Sequence, residues 1–154
     1  MKYVVDTSLF NKIADGSVGI DELPKDEGFL ATHVQIDELN RTKNEERRAK
    51  LFLIFAKTIN DVVPTESFIL GTSRLDEAKL GDGAPYAAIK KMLDSLNGGK
   101  QNNSEDALIA EVALKNGYVL LTADRDLYEV AQRLNIGVMY WAVGRPNDRL
   151  NPTL

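Results

Sequence analysis

Four carboxylates stand where a parallel-sheet protein can do chemistry. Asp6 closes the apolar run Lys2-Tyr3-Val4-Val5, and Asp124 follows Leu120-Leu121-Thr122-Ala123, with Asp126 two residues further on. Asp106 falls in the first turn of the helical pattern that leads into the Leu120 run. Glu38 lies one to two turns into the pattern after Gly28-Phe29-Leu30-Ala31-Thr32. Ligands of open parallel sheets bind in the crevice beyond the carboxyl ends of the strands, so these acids are candidates for one shared site. Each also has a plainer use. Asp6 and Asp124 can cap the helices that follow them, Asp106 can complement a helix dipole, and Glu38 can pair on the surface with Arg41.

Sharing one crevice creates a problem that caps do not. Two carboxylates about 5 Å apart repel by roughly 3 kcal/mol at an effective dielectric near 20, and three or four together need a cation. All-oxygen ligation selects Mg²⁺ or Mn²⁺ over zinc. Acids around one or two such ions are suited to phosphodiester hydrolysis, since the metal acidifies a bound water and stabilises the leaving oxygen. That chemistry needs neither cysteine nor histidine, and the chain has no cysteine and one histidine, His33. Zero cysteines exclude a disulfide framework, a zinc-thiolate site, an iron–sulfur cluster and a cysteine nucleophile. His33, after Thr32 at a helix start, reads as a capping or packing residue.

The elements that must position the acids alternate. Strands are expected at 2–5, 28–32, 62–63, 118–122 and 137–141. Helices are expected from Leu9 to Gly16, through Val34, Ile36 and Leu39 and then Leu51, Ile54 and Phe55, over 66–80 and 84–97, up to a left-handed stop at Asn116-Gly117, and over 126–134. Gly81-Asp82-Gly83 before Pro85 is a turn and not a phosphate loop, because no lysine-bearing pattern follows. The continuous apolar run 118–122 suits a strand buried on both faces, and Trp141 ends the last strand as a core residue. Strand and helix alternation implies an α/β fold with a parallel sheet covered on both faces.

With 154 residues, 44% hydrophobic and 27% charged, the chain reads as one globular domain able to bury its own core. Asp6 interrupts the place where a secretory leader would be apolar, and no window approaches 18 apolar residues. A cytoplasmic protein without membrane segments is therefore expected. The net charge of −4 is uneven: residues 1–40 carry −5, residues 41–60 carry +4 and the rest −3. Phosphate binding normally wants positive charge, and the basic 41–60 stretch, with Arg41, Lys43, Arg47 and Arg48, is where it is found. It can also be a solvated face with pairs such as Glu45 with Arg48 and Glu46 with Lys50.

The same residues resemble the PIN-domain family, metal-dependent nucleases that include the VapC-type toxins of toxin–antitoxin pairs. Val5-Asp6-Thr7-Ser8 looks like the family's first strand with its acid and hydroxyls. Ile36-Asp37-Glu38-Leu39 is similar to the segment that supplies its glutamate. Glu105-Asp106-Ala107-Leu108-Ile109-Ala110 resembles its third motif, and Leu120-Leu121-Thr122-Ala123-Asp124-Arg125-Asp126 its fourth. The match runs from residue 3 to about 141, with the 65–103 stretch longer than the family pattern. The resemblance implies a three-layer α/β/α PIN-like domain at 1–144 with about five parallel strands, followed by an irregular tail at 145–154.

It further implies an endoribonuclease in which Asp6, Glu38, Asp106 and Asp124 hold Mg²⁺ or Mn²⁺, with Asp126 as an accessory acid. Thr7, Ser8 and Thr122 would orient those ligands or simply bond the local backbone. Arg41, Lys43, Arg47 and Arg48 would face RNA, an antitoxin chain would be the protein partner, and the chain would form a homodimer. A non-catalytic PIN-like module that binds RNA or assembles with proteins is the alternative. Receiver and haloacid-type phosphatase readings fit less well, because Ser8 stands where the phosphatase needs a second acid and no matching lysine follows Trp141.

Overall fold

The computed structural model describes residues 1–24, 28–67 and 83–141. Five strands, β1 (Lys2–Val5), β2 (Gly28–Ala31), β3 (Asp61–Val62), β4 (Val119–Thr122) and β5 (Val138–Tyr140), form one parallel sheet in the order β3-β2-β1-β4-β5. Six helices accompany them: α1 (Thr7–Ala14), α2 (His33–Asn40), α3 (Glu45–Thr58), α4 (Ala84–Asn97), α5 (Asn103–Asn116) and α6 (Arg125–Arg133). This is the α/β class and strand count expected from the sequence.

Strand alternation sends successive side chains to opposite faces, and the two cores follow from it. Val4, Leu120 and Val138 face α4, α5 and α6, where Ile89, Leu93, Leu108, Leu127 and Val130 meet them. Tyr3, Val5, Phe29 and Leu121 face the other way, onto Leu9 and Phe10 of α1, Leu39 of α2, and Leu51 and Ile54 of α3. The sheet is therefore the middle of three layers. Because β1 pairs with β2 on one side and with β4 on the other, the chain reverses its winding at β1. The crevice beyond the carboxyl ends of β1 and β4 is the topological switch point, the favoured binding position in such sheets.

Local chemistry sets most boundaries. The helical spacing from Val34 to Phe55 resolves into two helices. α2 ends near Arg41, and α3 restarts where the Asn44 side chain accepts from Arg47 N–H. At the start of α2, Thr32 and Gln35 form a capping box. His33 therefore does no capping and is buried as the first helical residue. Gly117 ends α5 at φ 68°, so the expected stop lies in the left-handed region, and Asn135 follows α6 with a left-handed φ of 56° as well. The third strand sits one residue earlier than expected, although Val63 N–H still donates to Ala31. Trp141 is buried just past β5.

Most of the helix expected over 66–80, the Gly81-Asp82 part of the turn and the 145–154 tail lie outside the described residues. Glu66 and Ser67, the first two residues of that expected helix, are bends. Among the described residues no helix is long and apolar enough to cross a membrane.

Candidate functional site

Asp6 is the first residue past β1, and its N–H still donates to Leu121 O at 2.8 Å, which holds it in the sheet's last rung. It occupies the N-cap position of α1 without a capping hydrogen bond. Its carboxylate turns instead to hydroxyls: Ser8 Oγ donates to Oδ2 at 2.6 Å and Thr122 Oγ1 at 2.8 Å. Those hydroxyls are placed in turn by the backbone, since Ala123 N–H donates to Ser8 Oγ and Asp124 N–H to Thr122 Oγ1. The same two hydroxyls thus bond both the Asp6 carboxylate and the local backbone.

The other acids arrive from three further segments. α2 carries Glu38 inward, where its Oε1 accepts from Thr7 Oγ1 at 3.0 Å. The surface pair with Arg41 does not form, because Arg41 Nη2 reaches Glu105 Oε1 at 3.1 Å. Asp106, in the first turn of α5, is 4% exposed, and Asn102 Nδ2 lies 3.4 Å from its Oδ2. Asp124 does act as a cap, its Oδ1 accepting from Asp126 and Leu127 N–H.

Asp6, Glu38, Asp106 and Asp124 line one cavity of about 340 Å³ at the switch point, together with Thr7, Ser8, Asn11 and Lys12 of α1, Asp15 just past its end, and Asn102. Asp126 is not among the lining residues, and its backbone is used to tie down Asp124. A second lobe of about 390 Å³ adjoins this cavity, since Glu38 and Asn102 line both, and Arg41, Gln101 and Glu105 complete it.

The electrostatics of the cavity are those of crowded acids. Burial raises the Asp6 carboxyl, with Asp124 adding to the rise and the Ser8 and Thr122 hydrogen bonds opposing it. Burial, and then the charges of Asp6, Glu38, Asp124 and Glu105, push Asp106 up to about 10. Glu38 is pushed up to about 8, first by burial and then by Asp6, against the Thr7 hydrogen bond. A carboxylate held above its ordinary range by like charges is one that a cation would ionise. The donors are all oxygen, which suits Mg²⁺ or Mn²⁺. As the side chains stand, no group of three or more acids or histidines among the described residues forms a finished metal-binding cluster.

Of the basic residues singled out in the sequence, only Arg41 reaches the cavity system. Arg47 clamps the rim, donating to Asp15 Oδ1 at 2.7 Å and Asn11 Oδ1 at 2.9 Å, and its guanidinium holds the Asp15 carboxyl below the usual range. Arg48 Nη1 donates to Thr42 O, and Lys43 is exposed away from the lining. Lys12 and Asn102 are lining residues that the sequence did not single out. A visible pattern could have found Lys12: Ser8, Asn11, Lys12 and Asp15 fall at i, i+3, i+4 and i+7, a polar stripe opposite the apolar one on α1.

No protein-family model matches the sequence, and no curated protein does. Solved structures do match. A chain of VapBC2 from Rickettsia felis, bound to a DNA fragment from their promoter, superposes with a TM-score of 0.53 at 15% identity, covering 92% of this chain and 99% of that one. VapBC-1 from nontypeable Haemophilus influenzae gives a TM-score of 0.54 at 14% identity, covering 92% and 98%. The fold is PIN-like. A domain of a functionally unknown protein from Methanocaldococcus jannaschii has the same PIN-like arrangement at a TM-score of 0.53 and 18% identity, with 95% and 94% covered. The fold implied by the sequence resemblance is thus present, and Asp6, Glu38, Asp106 and Asp124 lie together at its switch point.

Proposed function

We propose that the protein is a Mg²⁺- or Mn²⁺-dependent endoribonuclease, the toxin of a toxin–antitoxin pair. The observation that carries this reading is the convergence of Asp6, Glu38, Asp106 and Asp124, from four separate segments, on one cavity at the switch point. These carboxylates would hold the metal, which would supply an acidified water and charge neutralisation at the scissile phosphate. The protein's own part is positioning. Ser8 and Thr122 aim Asp6, Thr7 aims Glu38, and the backbone of α6 aims Asp124. Lys12, on one wall of the cavity, is a cation able to take a phosphate beside the cut.

The VapBC structures with this fold are two-component assemblies by name, which supports an antitoxin chain as partner; a homodimer as the active form rests on the family resemblance. The incomplete ligand cluster among the described residues favours a second reading, a non-catalytic RNA-binding module. One experiment separates the two. Purified protein is incubated with a mixed RNA pool in Mn²⁺ or Mg²⁺, beside an EDTA control and the Asp106→Asn variant. Cleavage that needs metal and disappears in the variant is expected; RNA binding without cleavage in either protein would leave only the binding module.

A further inference from the structure

Beyond Glu38, which it shares with the acidic cavity, the adjoining lobe is built from side chains that can make directional hydrogen bonds. Glu105, in the first turn of α5, is nine-tenths buried there. Its Oε1 accepts from Arg41, while its Oε2 has no hydrogen-bond partner among the described residues. Unsatisfied buried carboxylate oxygens are costly and call for an explanation. Oε2 is sealed from water as it stands, but the terminal torsion of a glutamate is broad and soft, so a base edge entering the lobe meets it once that torsion turns.

We infer that this lobe is a guanine subsite for the nucleotide next to the scissile phosphate, an inference that rests on the ribonuclease reading. An ionised carboxylate offers about four acceptor positions, and Arg41 uses one. The open ones ask for two adjacent N–H donors. Among the bases only guanine carries such a pair on its Watson–Crick edge, at N1 and N2, with the O6 acceptor alongside. The amide groups of Gln101 and Asn102, on the same lobe, supply a donor for O6. Adenine and cytosine offer one donor beside an acceptor, and uracil one donor between two acceptors. Each would set a lone pair against Glu105. The guanidinium of Arg41, anchored at 3.1 Å by Glu105 yet 62% exposed, is a plane on which the base can stack.

The shape agrees with the chemistry. The lobe measures about 390 Å³, within the range of sites for small molecules. It shares Glu38 and Asn102 with the acidic cavity, so a base seated in it belongs to a nucleotide adjoining the bond that is cut. The subsite sits on the rigid junction of α4 and α5. Asn103 Nδ2 bonds Asp94 Oδ1 at 2.7 Å and Asn97 Oδ1 at 2.8 Å, and Asn97 Oδ1 also takes the N–H of Gly99 and Lys100. The turn that presents Gln101 and Asn102 is thereby tied down from within.

The test compares uridine hexanucleotides carrying one central G, A, C, U or inosine. Binding to wild-type protein is read by fluorescence anisotropy in Ca²⁺, and cleavage is read in parallel in Mn²⁺. Guanine is expected to bind roughly ten-fold or more tighter than the other bases. Inosine, which lacks the N2 donor, is expected to fall back toward them whatever happens to any protein variant. In Glu105→Gln one acceptor becomes a donor, and the preference should move from guanine toward adenine. Equal binding of all five oligonucleotides, inosine matching guanine, or no binding of any would overturn the subsite. Cleavage without base preference would overturn the subsite while leaving the nuclease standing. Guanine preference without cleavage would support the subsite and remove the nuclease.

Discussion

Ser8 shows how much of the site depends on small side chains. One hydroxyl donates to Asp6 Oδ2 and accepts from Ala123 N–H, linking the ends of β1 and β4. Removing it in Ser8→Ala leaves Asp6 buried with one fewer donor. Metal affinity or cleavage is expected to fall by about 10- to 100-fold, with a stability loss of only about 1 kcal/mol; metal titration and thermal melting read the two separately. Asp106→Asn should do the opposite to stability. It removes a group that burial and the neighbouring acids force to hold a proton, so the metal-free variant should melt a few degrees above wild type near pH 8, while metal-dependent cleavage is lost. An unchanged or lower melting temperature for the metal-free variant would show that Asp106 is not under electrostatic stress.

Among the elements, α4 and α5 carry the least obvious device. Gly83 gives α4 no side-chain cap, and the buried Glu111 of the neighbouring helix serves instead, its Oε2 accepting from Tyr86 N–H at 2.9 Å. A carboxylate at a helix N-terminus also meets the favourable end of the dipole. Glu111→Ala should therefore cost about 1–3 kcal/mol in chemical denaturation, with Glu111→Gln losing less. At the C-terminal end of α5, Gly117 holds φ 68° with no atom within 4 Å of where a Cβ would stand, so space is not the constraint. Gly117→Ala is expected to cost about 1–2 kcal/mol from backbone strain alone. The substitution lies at the opposite end of α5 from Asp106, and the measurement that checks it is a denaturation midpoint.

For the molecule as a whole, the crowded acids couple folding to pH and to metal. Glu38 and Asp106 hold protons more tightly folded than unfolded, with ordinary values of 4.5 and 3.8 raised to about 8 and about 10. Their contribution to stability is complete below about pH 4 and is lost progressively as pH rises through the folded values. The metal-free protein should thus melt at lower temperature at pH 8 than at pH 6. Mn²⁺ binds the ionised form, so it should raise the melting temperature more at pH 8 and release protons on binding at pH 6. Calorimetry in buffers of different ionisation enthalpy measures that release; a metal effect independent of pH would place the ion elsewhere.

The order of amino acids alone settled the class, the approximate strand positions, the left-handed stop at Asn116-Gly117 and the segments that carry the four acids, because each of these is written in local periodicity or in a residue's own conformational preference. Asp6 and Asp124 were legible since they follow short apolar runs, and Asp106 since it opens the helix feeding β4. Pairings between distant segments were set only in three dimensions. Arg41 looks like a partner for Glu38 at helical spacing, yet the turn at the end of α2 brings it to Glu105, 64 residues away. Arg47 and Arg48 read as an open basic face, but Asp15, Asn11 and the Thr42 carbonyl claim them. Lys12 and Asn102 acquired their places when the parallel order β2-β1-β4 set α1 against the α4–α5 turn across one crevice. Periodicity records which face of an element is apolar, whereas the partner that a charged side chain meets depends on which elements the sheet brings together.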